Sequence, residues 1–422
     1  MRRSVRLTAR GVRLIALGAV GVARTLLAQH GHGSTCETAD VCVSTMATGL
    51  VTRISAKGGH TFNEGYVTQP MVMASGAFWS GRLRALGVYN FEGYTLRRGE
   101  LSPGTYGEGY IDRRHPHTHL HELMLGAHGA LGAAQLSLYA GKGIVPFGSE
   151  DPMMRPFTRY PANHHLAQIL ERAQIVAAAR IGRVTLEASS FNGDEPENPR
   201  DWPNSDRYFD SWAARATIAA VAGFEGSASA ARVKSPEDPA GFGLNQNKWA
   251  ASLRYSGTSN NRVRYAMVEW ARTSEWLGPR KDLWSFASGL FEGSARTPIG
   301  DIALRLERTS RPEEQRDQTP FRSVRPLLDF GILGRTLWES VSVGWSRGFG
   351  LQSTGNVQVT PFIEVSHYRA RPLERVVIVS PKVAFGGLRL LSFSAGVRVG
   401  LGAMRGEMGR YGVAASRSTR PN

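Results

Sequence analysis

Along the last third of the chain, apolar side chains alternate one for one with small or polar ones. Between Leu390 and Ala403, Leu391, Phe393, Ala395, Val397, Val399 and Leu401 fall on one side of an extended strand, and Ser392, Ser394, Gly396, Arg398 and Gly400 on the other. Successive residues of a strand point to opposite faces, so the pattern describes a sheet with two different surroundings. From Asn356 to Ser366 the same phase sets Val357, Val359, Ile363 and Val365 against Gln358, Thr360, Glu364 and Ser366. From Trp338 to Arg347 it sets Val341, Val343 and Trp345 against Ser340, Ser342 and Gly344.

The pattern continues towards the N-terminus. Ala134, Leu136, Leu138 and Ala140 oppose Gln135, Ser137 and Tyr139; Val184, Leu186 and Ala188 oppose Thr185, Glu187 and Ser189; Ile302, Leu304 and Leu306 oppose Asp301, Arg305 and Glu307. Tight joints are expected near Ser80–Arg82, Gly129–Gly132, Gly182, Gly223–Gly226, Thr297–Gly300 and Gly334–Arg335. Longer polar connections are expected over Arg97–Leu120, Lys142–Arg172, Gly193–Tyr208, Lys234–Gln246 and Arg311–Arg322. Short turns at one end and long loops at the other belong to an all-β transmembrane antiparallel up-and-down β-barrel. Strand-like segments between Ser44 and Ala403 suggest about 18 strands, within a range of 16–18, and an even count returns both termini to one side. On this phase Gln135, Glu187, Asp301, Arg305, Glu307, Gln358, Glu364 and Arg398 face the lumen. Phe78, Trp79, Trp212, Trp249, Trp270, Trp284, Trp338 and Trp345 lie near expected strand ends, as interfacial girdles do. A soluble sandwich is the competing fold, but it rarely needs so many long hairpins.

No composition shift divides the 422 residues, and after the leader no stretch offers the roughly 20 apolar residues that a membrane helix needs. Residues 1–28 read as a signal peptide: Arg2, Arg3, Arg6, Arg10 and Arg13 precede the apolar run Leu14–Ala23, interrupted afterwards by Arg24. Residues 29–43 read as an N-terminal periplasmic segment in which Cys36 and Cys42, the two cysteines of the chain, can form a disulfide. Residues 44–403 are the expected barrel. Residues 404–422, past the last alternating strand and including Tyr411, form either a tail or a further strand. The formal charge is +16; removing the six leader arginines leaves 45 basic against 35 acidic residues, or +10. That excess could favour anions in a pore, although an arginine-rich composition alone would also produce it.

Histidine is concentrated in one run. His115, His117, His119 and His121 occupy alternate positions beside Asp112 and Glu122, and imidazoles suit copper, zinc or nickel. Four side chains on one face of a strand stand about 7 Å apart, so chelation needs the bend that Pro116 supplies. Carrying the alternation on past His121 turns Leu123 and Leu125 to lipid and Glu122, Met124 and His128 to the lumen. The run is therefore expected at the outer mouth unless a bulge changes its register. His164, His165, Asp194, Glu195, Glu197 and Asp201 lie in other long connections expected nearby, and His30 and His32 in the N-terminal tail. A metal set of His115, His117, His119, His121 and Glu122 thus competes with ordinary loop packing; apart from that transition metal, no cofactor is expected. The His-x-His pattern also occurs in metal-dependent amidohydrolases, but their barrel needs alternating strands and helices, which this pattern lacks. No GxSxG elbow or P-loop occurs, so an enzyme is not expected.

The string IDRRHPHTHLHEL, followed by ASSFNGDEPENPRDWP and FDSWAARA, resembles a family of uncharacterised bacterial outer-membrane β-barrel, porin-like proteins with a DRxHPHD-type motif. The matching positions are Asp112, Arg113, His115, Pro116 and His117, then Phe191, Asn192, Gly193, Glu195 and Pro196, then Asp210, Ser211 and Trp212, within Phe78–Ala216. Thr118 stands where the family has Asp. The resemblance implies fold and location, not a substrate. The expected function is a porin-like channel or surface scaffold for small solutes in the outer membrane. The alternative is a barrel-mounted metal-binding protein with a His-rich mouth. Expected partners are the lipid bilayer, the barrel-insertion machinery and small solutes, not nucleic acid.

Overall fold

The computed structural model describes residues 41–96, 118–149, 155–196, 199–220, 223–257, 262–314, 332–351, 357–374, 382, 385–402 and 408–412. These form one antiparallel sheet of 17 strands. They are β1 (Val41–Ala56), β2 (Thr61–Phe78), β3 (Leu83–Asn90), β4 (Leu120–Leu131), β5 (Ala134–Gly143), β6 (Arg172–Ile181), β7 (Val184–Phe191), β8 (Ser211–Ala219) and β9 (Phe224–Val233). There follow β10 (Asn245–Ser256), β11 (Val263–Leu277), β12 (Arg280–Thr297), β13 (Gly300–Glu314), β14 (Ile332–Ser346), β15 (Phe349–Leu351), β16 (Val357–Pro372) and β17 (Arg389–Leu401).

β1 pairs with β17 from Thr45↔Leu401 to Ala56↔Leu390, so the sheet closes on itself and leaves no unpaired edge. β14 pairs directly with β16 over Thr336–Ser346, while β15 adds only Phe349–Leu351 beside the start of β16. Sixteen strands therefore build the wall and β15 lies outside it, at the lower limit of the sequence-based count. One expected joint is absent: Gly334 lies within β14, paired with Glu313 beside a register shift, so the glycine marks a bulge and not a turn. Gly182, at φ +58°, supplies the left-handed residue of the two-residue turn that follows the pair Ile181↔Val184.

Burial sorts the two faces of the wall. Leu391, Phe393, Val397 and Val399 are exposed on the outside, whereas Ser392 and Ser394 are buried inside. A row of directly opposed exposed residues, Val268, Phe291, Leu306 and Val341, crosses β11 to β14. Two positions nearer the long-connection end, the opposed row is Arg308, Glu339, Arg369 and Arg389, the three arginines exposed and Glu339 half-buried. The apolar surface thus stops at a line of charge. Along β17 it runs from Leu391 to Leu401, about 34 Å of strand. At a tilt of roughly 40° that is about 25 Å of height, the thickness of the apolar band of a transmembrane barrel.

Trp212, Trp249 and Trp270 point outward in the half of the wall nearer the long connections, and Phe78 and Trp79 at the short-turn end. Two of the sequence-assigned girdle residues do not. Trp338 is buried inside, its face in contact with the Arg311 guanidinium, and Trp284 packs against the interior cluster on β7–β12. Both strands run beyond the band, where the interior face takes large side chains as readily as the exterior.

Candidate functional site

The lumen is crossed by the connection between β5 and β6, Ile144–Glu171, whose described part folds inward and not over the mouth. Its sequence explains the choice. Val145, Phe147, Leu166, Ala167 and Ile169 are apolar and unsuited to an exposed loop, and all are buried against Phe191, Ala213, Ala231, Val233, Ala250, Ala271 and Phe286. Four of those wall residues are alanines on successive strands β8 to β11, which leave the depth the connection fills. Gly148 makes the closest approach: at φ +72°, a β-carbon there would lie 1.7 Å from the Ala167 carbonyl oxygen.

Polar contacts fix the connection to the same wall and to the strands opposite. Glu269 on β11 accepts from Ser149 Oγ at 2.5 Å, Asn163 Nδ2 at 2.8 Å and Arg155 Nη2 at 3.2 Å. Glu307 on β13 accepts the Asn163 amide at 2.7 Å, and Glu364 on β16 the Thr158 amide at 2.6 Å. Arg159 Nη1 donates to Thr52 Oγ1 on β1 at 2.7 Å and to Ser394 Oγ on β17 at 2.9 Å. Arg305 pairs with Glu292 and donates to the Arg159 carbonyl, while Arg398 Nη2 donates to Thr158 Oγ1 at 3.2 Å. Lys248 Nζ reaches the His165 carbonyl at 2.7 Å. The connection is therefore held from nearly every side, by carboxylates and guanidiniums that are costly to bury unless paired. Nothing in this set makes a nucleophile with its base; what it can do is narrow a polar passage and set its charge.

The sequence-assigned lumen residues separate into two groups. Arg305, Glu307, Glu364 and Arg398 lie on the inner face in the network just described, and Glu187 is buried on the same face, pairing with Arg215 at 2.7 Å. Gln135, Asp301 and Gln358 sit at the short-turn rim, where Gln135 and Gln358 are exposed and Asp301 lies 3.6 Å from Arg296.

Of the histidine run, His115 and His117 lie outside the described residues, as do Asp112, Arg113 and Pro116. His119 stacks between Tyr89 and Tyr94, centroids 5.7 and 4.4 Å away, with Nδ1 at 3.0 Å from the Asn90 carbonyl. His121 is fully buried, because Val88 pairs with Glu122 and Tyr89 with Leu120, leaving His121 as the extra residue of a bulge. Its Nδ1 stands 2.7 Å from Glu171 Oε1. Glu122 is buried beside it in sequence, while Leu123 and Leu125 point outward. Glu171 also holds Thr118, through its amide at 3.1 Å and its hydroxyl, and Lys142 at 3.3 Å. Among the described residues no three His, Cys, Asp or Glu side chains are grouped as a metal site. His164 lies inside the barrel on the inward connection, against Tyr160.

The Phe191–Pro196 and Asp210–Trp212 motifs tie two connections together. Gly193 donates its amide to Asp210 Oδ1 at 2.8 Å, Asp210 pairs with Arg207 at 3.0 Å, and Arg207 Nη1 donates to the Ser235 and Asp238 carbonyls. Glu195 pairs with Arg172 at 2.6 Å. Cys42, in β1, is disulfide-bonded, and Cys36 lies outside the described residues.

No family model matches the chain, nor does any curated protein, so the resemblance through the Asp112–His117 and Phe191–Pro196 motifs stands on those residues alone. Among solved structures, the chain is similar to the anion-selective porin from Comamonas acidovorans, at 10% identity and a TM-score of 0.48 over 86% of this chain and 99% of that one. It is similar to OmpT, an outer membrane protein of Vibrio cholerae, at 10% identity and 0.46 over 85% and 98%. It is also similar to Pseudomonas aeruginosa OccK2 in complex with glucuronate, at 11% identity and 0.41 over 86% and 97%.

Proposed function

We propose that the protein is an outer-membrane channel of porin type that passes small polar solutes through a lumen narrowed by the Ile144–Glu171 connection. The observation that carries this reading is the sorting of faces around a closed wall: Leu391 and Phe393 outside, Ser392 and Ser394 inside, and Arg159 of the connection bonded to Ser394. An exterior that apolar over about 25 Å is stable only in lipid, and a closed barrel satisfies every backbone group there. The interior offers hydroxyls, carboxylates and guanidiniums to a hydrated solute.

We further propose a modest preference for anions, supported by the excess of +10 outside residues 1–28 and by Arg159, Arg305 and Arg398 on the β13–β17 side of the connection. Glu292, Glu307 and Glu364 pair with that side and keep the preference small. Purified protein in planar bilayers is expected to give discrete current steps, with a reversal potential in a KCl gradient displaced to the side set by chloride. A correctly folded barrel that stays silent, with its C-terminal segment native or released, contradicts the channel. Clear cation preference contradicts the selectivity.

A further inference from the structure

β17 closes the wall at Leu401, yet Met408–Gly412 lies inside the barrel, not beyond it. Met408 is buried among Met46 of β1, Met71 and Met73 of β2, Val88 of β3 and Ile144. Tyr411 is buried with Leu86, Met124, Tyr139 and Val176 of β3 to β6. Between them, Arg410 Nη1 reaches Glu225 of β9 at 2.7 Å. Five residues thus touch interior side chains from β1 round to β9.

Their backbone is received as specifically as their side chains. Arg215 Nη2 donates to the Gly409 carbonyl at 2.7 Å, Ser137 Oγ to the Tyr411 carbonyl at 2.9 Å, and Glu187 Oε1 accepts the Tyr411 amide at 2.8 Å. The Tyr411 hydroxyl donates to the Ile144 carbonyl at 2.8 Å and accepts from Gln174 Nε2 at 3.1 Å. Gln174 is itself held by Ser189. A segment that merely lay in a wide pore would keep its tyrosine ring and guanidinium in water. This one surrenders that hydration to a set of partners from five strands, β5 to β9.

We infer that Met408–Gly412 is a resident plug, an intrachain ligand seated on the β5–β9 wall directly beneath the inward connection, and that it obstructs the passage the connection leaves. The inference rests on the channel reading. It makes the inner wall a peptide-recognition site: Glu187 and Ser137 read the Tyr411 amide and carbonyl, the Leu86–Tyr139–Val176 pocket takes an aromatic ring, and Glu225 takes a guanidinium.

Two measurements on the full-length chain test it. A β-carbon on Gly412 would lie 3.3 Å from Thr185 Cγ2 but 2.4 Å from Ala178 Cβ, so in an Ala178→Gly background, which clears that contact, the Thr185→Cys/Gly412→Cys protein is expected to cross-link under mild oxidation in outer membranes, seen as faster migration of the denatured chain without reductant. Arg410→Ala/Tyr411→Ala, with heat-modifiable migration as the check that it folds, is expected to raise single-channel conductance by roughly twofold or more. Absence of the cross-link overturns the inference. So does a cross-link together with equal conductance in the parent and the double variant, since the segment then sits in the lumen without obstructing it. If the cross-link forms and both folded proteins are silent, the channel reading fails, and the plug fails with it.

Discussion

Arg155 and Glu269 meet in the interior of the barrel at 3.2 Å, both withdrawn from water, and join the inward connection to β11. Glu269 collects Ser149 and Asn163 as well, so one carboxylate organises two parts of the connection that are distant in sequence. Removing it takes a buried carboxylate away from Arg155 and an acceptor away from Ser149 and Asn163.

Glu269→Ala is accordingly expected to cost about 3–5 kcal/mol in urea unfolding from lipid vesicles. It should also broaden single-channel current, because the connection loses its hold on β11. Unchanged stability and a quiet trace would mean that the connection is held by its apolar cluster alone.

Thr118 serves Glu171 through both its amide and its hydroxyl, and that hydroxyl also accepts from Lys142. Thr118→Asp sets two carboxylates against each other and is expected to destabilise by about 1–3 kcal/mol. Adding Glu171→Gln should recover part of that loss. A double-mutant cycle checks it, and additive effects would place the two residues in separate networks.

Gly148→Ala is expected to loosen the inward connection, since φ +72° and the Ala167 carbonyl both exclude a β-carbon. The expected loss is about 1–3 kcal/mol, with new protease cleavage between Ile144 and Glu171. Protection equal to the parent's would show that the backbone relaxes locally.

Leu306 and Arg308 occupy adjacent outward positions on β13, one inside the apolar band and one on the charged row that ends it. Leu306→Arg is expected to cost about 2–4 kcal/mol of folding stability in vesicles. Arg308→Leu, which breaks only an exposed pair with Glu339, should change it by about 0–1 kcal/mol. Equal effects would remove the boundary between them.

The wall was legible because a period of two is hard to mistake: Leu391 against Ser392 and Leu304 against Arg305 already name lipid and lumen. Strand number was less so, since Gly334 looks the same in a bulge as in a turn. His121 shows why phase alone misplaces a side chain: one extra residue opposite Val88 and Tyr89 turns it inward. The inward connection left an aperiodic signal, apolar Val145, Phe147, Phe157 and Leu166 in a segment read as polar, matched by alanines at 213, 231, 250 and 271. Neither pattern has a period, so only their meeting in space reveals it. Tyr411 gave no sign of its destination, because its partners come from strands up to 274 positions away.

The account stands or falls on which face of the wall meets lipid. Single cysteines at Leu391, Ser392, Phe393 and Ser394 of the native chain, each labelled with a small fluorophore and reconstituted with brominated lipids, measure this directly. Strong quenching at Leu391 and Phe393 and little at Ser392 and Ser394 is the expected result. Quenching that is uniform along the four, or strongest at the serines, would contradict a membrane barrel with this phase.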